Sequence, residues 1–224
     1  MDSDEERTRW SILPVMLMGR EGSGKTCLSS RFVDGTFSQL HQRTSSLHIT
    51  IGKLENVRGK AVKLIIYEPE GAQSYANCDF TVLKCKAFVF CYDITDKRSL
   101  EDIPAMIDLN TRTSKSKDME FCLLGTKIDL EEQRAVLTND AIKFAEKNKM
   151  TYLMEVSALQ DINVEKAFDR LAEVLLAKMG EITIELPIKS ARTGAKNSHK
   201  PPQNKLEKEE DLQANSEKPK CTVS

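Results

Sequence analysis

The sequence predicts an α/β fold: a six-stranded, mostly parallel sheet with one antiparallel strand and helices on both faces. Three observations carry this. Apolar runs near 14–18, 47–54, 61–67, 87–93, 119–125 and 151–156 alternate with stretches of helical periodicity, the pattern of a parallel sheet covered by helices. The second and third runs are joined by a short link containing Arg58-Gly59-Lys60, which reads as a hairpin and so makes one strand antiparallel. Directly after the first run, a glycine-rich stretch gives way to a helical one.

Taken in order, the first strand ends Val15-Met16-Leu17-Met18, and the glycine-rich loop leads into the first helix. The hairpin follows, then the apolar run 87–93. A helix is expected to start near Ser99 and run toward 112, with Pro104 close enough to its beginning to be tolerated or to cause a modest kink. After the strand 119–125, a helix is expected over 138–149 with Ala141, Ile142 and Ala145 inward. The strand Tyr152-Leu153-Met154-Glu155-Val156 precedes the last helix, which Asn163 would cap. Its buried face holds Val164, Ala167, Phe168, Leu171, Val174 and Leu175, at the spacing of three and four that one helix face requires. After about residue 188 the chain turns to Lys, Glu, Pro, Ser, Asn and Gln, which bury too little apolar surface to offset conformational entropy. The organisation is therefore a short disordered N-terminus (1–10), one domain (11–180) and a flexible tail (181–224).

The net charge of -1, with 30% charged residues, shows no bias toward nucleic acid or membrane. No stretch approaches the roughly 20 apolar residues of a membrane helix, and the start Met1-Asp2-Ser3-Asp4-Glu5-Glu6 is unlike a signal peptide, so a cytoplasmic protein is expected. Cys27, Cys78, Cys85, Cys91 and Cys122 form no C-x-x-C pair and read as reduced packing residues.

Gly19-Arg20-Glu21-Gly22-Ser23-Gly24-Lys25-Thr26 spells G-x-x-x-x-G-K-[ST], a phosphate-binding loop. Glycines let backbone N–H groups converge on phosphates, Lys25 reaches the β and γ phosphates, and the Thr26 hydroxyl ligates Mg²⁺. The helix that starts there adds its positive dipole end. The nucleotide-facing set is Gly19, Glu21, Gly22, Ser23, Gly24, Lys25, Thr26 and Cys27. Gly125-Thr126-Lys127-Ile128-Asp129 follows the strand Phe121-Cys122-Leu123-Leu124, and Ser157-Ala158-Leu159 follows the next strand.

With these motifs the chain resembles the small GTPases of the Ras superfamily, over about residues 12 to 180. Tyr92-Asp93-Ile94-Thr95 resembles the run typical of the Rab branch. The resemblance implies GTP or GDP and Mg²⁺ as ligands. It implies that Asp129 sets guanine specificity, that Lys127 lies along the base beside Thr126, and that Ala158 supports the base from the loop Ser157-Ala158-Leu159. Leu159 stands where the family usually has Lys, as in Rho proteins, yet the stretch from Asp129 to Ser157 is too short for the helix Rho proteins insert there. Phe37 falls where the family packs an aromatic edge-on against guanine. Thr44 falls where the first switch ligates Mg²⁺ and the γ phosphate.

The second switch departs from the family's D-x-x-G-Q. Here it reads Glu68-Pro69-Glu70-Gly71-Ala72. Gly71 keeps the backbone N–H for the γ phosphate. Glu68 replaces the aspartate that holds Mg²⁺ through a water, with one methylene more, which puts Mg²⁺ affinity in question. Ala72 replaces the glutamine that orients the attacking water, so hydrolysis should be slow. Glu21 either crowds the γ phosphate or points to solvent; the sequence leaves both open.

Cys221-Thr222-Val223-Ser224 fits C-a-a-X ending in Ser, which reads as farnesylation of Cys221, with carboxyl methylation implied by the resemblance. One prenyl chain without a second signal gives reversible attachment to the cytosolic face of a membrane. The expected partners are effectors, an exchange factor, an activating protein and a prenyl-binding carrier. The expected function is a GTP-binding switch with weak hydrolysis, in membrane traffic or signalling. Two rivals stand beside it: a nucleotide-bound scaffold that does not switch, and, more weakly, a nucleotide kinase, which leaves T-K-x-D and the C-a-a-X box without a role.

Overall fold

The computed structural model describes residues 9–38, 47–69, 84–113 and 119–184. Six strands form one sheet: β1 (Trp10–Met18), β2 (His48–Val57), β3 (Lys60–Glu68), β4 (Ala87–Asp93), β5 (Glu120–Thr126) and β6 (Tyr152–Glu155). Their order is β2-β3-β1-β4-β5-β6. Only β2 and β3 pair antiparallel, with Ile51 opposite Ile65; the other pairs are parallel, as in Leu17 beside Val89 and Cys91 beside Leu124. Because β1 lies between β3 and β4, the chain leaves it toward both sides of the sheet. This arrangement opens a crevice at the carboxyl ends of β1 and β4, where α/β folds of this kind take ligands.

The helices are α1 (Lys25–Asp34), α2 (Lys97–Glu101), α3 (Ile103–Thr113), α4 (Thr138–Lys147) and α5 (Val164–Lys178), with a 3₁₀ segment over Ile128–Gln133. On one face of the sheet, Leu13, Val15, Leu64 and Ile66 pack with Leu28 of α1 and Phe168, Leu171 and Leu175 of α5. On the other, Met16, Phe88, Phe90 and Tyr92 pack with Ile103 and Met106 of α3 and Ala141 and Ala145 of α4. Every residue of β4 is buried, as a central parallel strand covered on both faces requires. Each fully buried Leu or Phe contributes about 1.5–3 kcal/mol, so these two layers dominate the stability. The six apolar positions expected on the last helix are all buried, and Ala172 and Leu176 widen that face.

The hairpin turns through Arg58 (φ 51) and Gly59 (φ 83). Two successive positive φ angles make the two-residue turn whose twist matches its strands. The Gly59 N–H donates to Asn56 Oδ1 at 2.8 Å, and Arg58 reaches Glu173 of α5 at 2.6 Å. Lys60, expected in the link, already belongs to β3.

Two local expectations are corrected. The single helix expected from Ser99 toward 112 is two helices, α2 and α3. Asp96 caps α2, accepting from the Arg98 N–H at 3.0 Å, so helix begins before Ser99. Pro104 has no N–H to give to the Leu100 carbonyl, so it cannot continue that helix. The chain therefore breaks at Asp102 and restarts with Pro104 in a first turn, where no donor is needed. Asn163 holds the N-cap position of α5 but does not cap it by its side chain. At φ 60 its amide swings away and donates to the Glu155 carbonyl at 2.9 Å, tying the start of α5 to the end of β6.

Gly52 on β2 is set by packing. A Cβ there would fall within the Phe32 ring, which stacks on Phe168 with centroids 4.0 Å apart. Gly52→Ala is expected to cost about 1–3 kcal/mol, read as a lower denaturation midpoint in urea. An unchanged midpoint would mean that Phe32 yields without loss of packing.

Candidate functional site

The crevice begins where β1 ends. Gly19 takes φ 146, and a side chain there would collide with the Cys91 carbonyl of β4, so the loop passes against the neighbouring strand only because Gly19 has none. The Ser23 N–H closes a turn on the Arg20 carbonyl at 3.2 Å, and α1 starts after Gly24 with no side-chain cap and no acid in its first turn. The N–H groups that begin α1 and its positive dipole end are thus not capped by a side chain, which makes an anion site.

The Lys25 ammonium donates to the carbonyls of Gly19 at 2.8 Å and Arg20 at 2.9 Å, which folds the side chain back over the loop. Burial lowers its pKa, while the carboxylates of Glu68 and Glu21 act in the opposite direction. Glu21 is exposed. Its carboxylate nevertheless acts on Lys25 across the loop. Thr26 donates to Glu68 Oε2 at 3.0 Å. Glu68, the last residue of β3, is 2% exposed, and Ser29 donates to its Oε1.

At the other end of the crevice lies a cavity of about 210 Å³, large enough for a purine base. Phe37, Lys127, Asp129 and Ala158 line it, together with Leu159 and Cys27. Lys127 adopts φ 63, and Asp93 Oδ2 holds its ammonium at 2.6 Å, so the stem of the side chain runs along the cavity wall. Ser157, fully buried, donates to Asp129 Oδ1 at 2.5 Å and accepts from the Gln160 N–H at 3.0 Å. The other Asp129 oxygen is the natural acceptor for donors on a base. Thr126 works differently from its neighbours. Its hydroxyl lies 2.9 Å from the Ser23 carbonyl and 3.0 Å from that of Tyr92, so it joins the base end to the phosphate loop.

Several residues that shape the site carry no motif. Leu130 and Leu28 line the cavity; only their position, one after Asp129 and one after Cys27, hints at it. Arg31 donates from Nε to the Ala158 carbonyl at 2.7 Å, binding α1 to the loop that carries Ala158 on the cavity wall. Behind both base loops, Arg134 grips Glu155 at 2.8 and 2.9 Å and also Glu131, while the Tyr92 phenol donates to Glu155 at 3.2 Å. Burial, with the Glu155 charge second, keeps that phenol protonated far above the usual tyrosine range. Arg134 and Glu155 side chains are only 11% and 14% exposed, so removal of either partner leaves a poorly solvated charge.

Thr44, Gly71, Ala72 and Cys221 lie outside the described residues. Among the described residues no helix is long and apolar enough to cross a membrane.

The family model for the Ras family matches residues 14–177 of this chain. The chain belongs to the Ras family. Within it, the similarity is to the Rab branch. It is 31% identical over 168 residues to Ras-related protein Rab-12 of Homo sapiens, covering 75% of this chain and 68% of that one. It is 31% identical over 192 residues to Ras-related protein Rab-13 of Canis lupus familiaris, covering 85% and 88%. Against Ras-related protein Rab-19 of Mus musculus the figure is 29% over 168 residues, covering 75% and 76%. Ras-family proteins are small GTPases and bind guanine nucleotide with Mg²⁺.

The donor set of this Ras-family chain fits that cation. No cluster of three or more His, Cys, Asp or Glu that would cage a metal occurs among the described residues. Thr26 and Glu68 instead put a hydroxyl and a carboxylate side by side next to the phosphate loop. Mg²⁺ suits such a place, since it keeps several waters and is held by one or two protein oxygens together with substrate phosphates. Because the Thr26 O–H donates its hydrogen bond to Glu68, its lone pairs remain for a cation.

Proposed function

We propose that this chain is a Rab-like guanine-nucleotide switch in membrane traffic or signalling, with slow intrinsic GTP hydrolysis. The observation that carries the nucleotide reading is the Asp129 carboxylate, fixed by Ser157 at the edge of a base-sized cavity whose far end is the phosphate loop. Guanine offers two neighbouring donors, N1–H and the 2-amino group, and a carboxylate accepts both; adenine offers no such pair. On this reading Gly19, Glu21, Gly22, Ser23, Gly24, Lys25, Thr26 and Cys27 surround the phosphates, and Gly71 gives its N–H to the γ phosphate. Phe37, Thr126, Lys127, Asp129, Ser157, Ala158 and Leu159 form the base side. Thr26, Thr44 and Glu68 would hold Mg²⁺, which when bound neutralises charge on the phosphates.

Phosphoryl transfer here rests on positioning and charge stabilisation, and Ala72 offers a methyl group where an amide would orient water. Single-turnover hydrolysis of GTP by the purified chain tests this. The expected rate is below that of ordinary small GTPases, and Ala72→Gln is expected to raise it about tenfold or more. A wild-type rate already in the ordinary range, with no partner added, would sink the proposal of slow turnover.

The loops around Thr44 and Gly71 would order with GTP and relax on hydrolysis or exchange, which effectors and regulators read. Farnesylation of Cys221, with carboxyl methylation, would attach the chain reversibly to the cytosolic face of a membrane, with a prenyl-binding carrier returning it to the cytosol. Glu68 and Ala72 also favour a second reading, a nucleotide-bound scaffold that does not switch. Equal retention of partners by GTP-loaded and GDP-loaded chain would select it.

A further inference from the structure

We propose that Ser29 is a positioning residue for the Mg²⁺ site: it fixes the long Glu68 side chain so that the carboxylate meets Thr26 in one orientation. The inference rests on the guanine-nucleotide reading above and concerns residues of this chain to which no motif assigns a role.

The geometry begins with helix periodicity. Ser29 stands three residues after Thr26 on α1, so both hydroxyls lie on the same face of the helix, toward the end of β3. Ser29 is fully buried beside Leu28, in a helix face that otherwise packs on the sheet. A buried serine within a helix contributes less packing than an apolar residue and needs a partner for its hydroxyl. That partner is Glu68 Oε1; the Thr26 carbonyl lies 3.1 Å from the same hydroxyl. Thr26 takes the second oxygen, Oε2, at 3.0 Å.

Both carboxylate oxygens of a side chain that is 2% exposed are therefore engaged by donors on one helix turn. A glutamate has one more rotatable bond than an aspartate. With Thr26 alone its carboxylate pivots about a single hydrogen bond. The Ser29 hydroxyl removes that freedom, and with it the entropy lost when the group is held for a cation. The same contact keeps the Thr26 O–H pointed at Glu68, which turns the Thr26 lone pairs away from Glu68. An aspartate at 68, one methylene shorter, would not reach both hydroxyls in the same way. Ser29 thus belongs with a glutamate.

The test is the Mg²⁺ dependence of fluorescent GDP release from the full chain, titrated from EDTA upward. Relative to wild type, Ser29→Ala is expected to raise the Mg²⁺ concentration for half-maximal slowing by about tenfold or more, the usual scale for residues that orient metal ligands. Release in EDTA should stay within about twofold, since it reads phosphate and base contacts that Ser29 does not make. In a Glu68→Asp background the same Ser29→Ala change is expected to have little effect on the Mg²⁺ midpoint. Equal midpoints for wild type and Ser29→Ala overturn the inference alone, and so does an equal shift in both backgrounds. Faster release in EDTA by the same factor as in Mg²⁺ also overturns it, because it marks a general loosening of α1. A wild-type chain whose GDP release ignores Mg²⁺ overturns the inference and leaves the nucleotide reading standing, whereas a chain that binds no GDP overturns both.

Discussion

Replacing Lys25 with alanine is expected to lower the affinity for GDP and GTP by about a thousandfold or more, or ~4 kcal/mol. The ammonium is held 2.8 and 2.9 Å from two carbonyls of the phosphate loop, and burial lowers its pKa. A cation in that setting lacks its full hydration, and phosphate oxygens are the partner that restores it. At an effective dielectric of about 20, one charge pair at about 4 Å is worth about 4 kcal/mol, so losing the ammonium removes a term of the expected size. Equilibrium titration with fluorescent GDP reads the change directly. Nanomolar binding by Lys25→Ala would remove the phosphate loop from the account of nucleotide binding.

Asp129→Asn is expected to invert base preference. The wild-type carboxylate has two acceptor oxygens, one already receiving the Ser157 hydroxyl at 2.5 Å. An oxygen can accept twice, so a guanine N1–H and 2-amino group can both be served. In the asparagine variant the amide oxygen can keep Ser157, but its NH₂ group faces the guanine amine, donor against donor. GDP affinity should fall about a hundredfold, because a site built around two charge-assisted hydrogen bonds is left with mismatched groups. Xanthosine diphosphate, with an oxygen in place of the amine, should gain in turn. Competition between the two nucleotides measures the exchange, and an unchanged preference for GDP would mean that Asp129 does not face the base.

The two variants probe opposite ends of one crevice, and the protein joins those ends by short bonds. Thr126 holds the loop at Ser23 through its hydroxyl, and Arg31 holds the loop at Ala158 from α1. Neither contact has a sequence signature, since each links positions far apart in the chain. The T-K-x-D motif includes Thr126 as a site residue, yet the structure assigns its hydroxyl to the protein itself. Lys127 is likewise placed by Asp93, a residue whose local sequence only marked the Rab branch.

Where periodicity is strong, local sequence is enough to place an element. The last helix shows this: its apolar spacing named its buried face, because a helix that must cover a sheet needs one apolar stripe. The Arg58-Gly59 turn shows it as well, since few residue pairs accept two positive φ angles. Local rules fell short at Asn163 and at Asp102. Asn163 has the side chain of a cap, but the Glu155 carbonyl competes for its amide and wins. At Asp102, which keeps helical angles, the missing N–H of Pro104 ends α2 and α3 follows at the next residue.

By itself, then, the sequence determined the α/β class, the succession of the six strands and the phosphate loop. These depend on spacing along the chain and on the chemistry of single side chains. Only the tertiary structure decided that Glu68 is grasped from α1 by Thr26 and Ser29, that Ser157 fixes Asp129, and that Arg134 braces Glu155 behind both base loops. The physical reason is common to all three. A hydrogen bond between residues distant in sequence depends on distance and burial set by packing of the sheet and helices, and no local pattern of residue types encodes that distance.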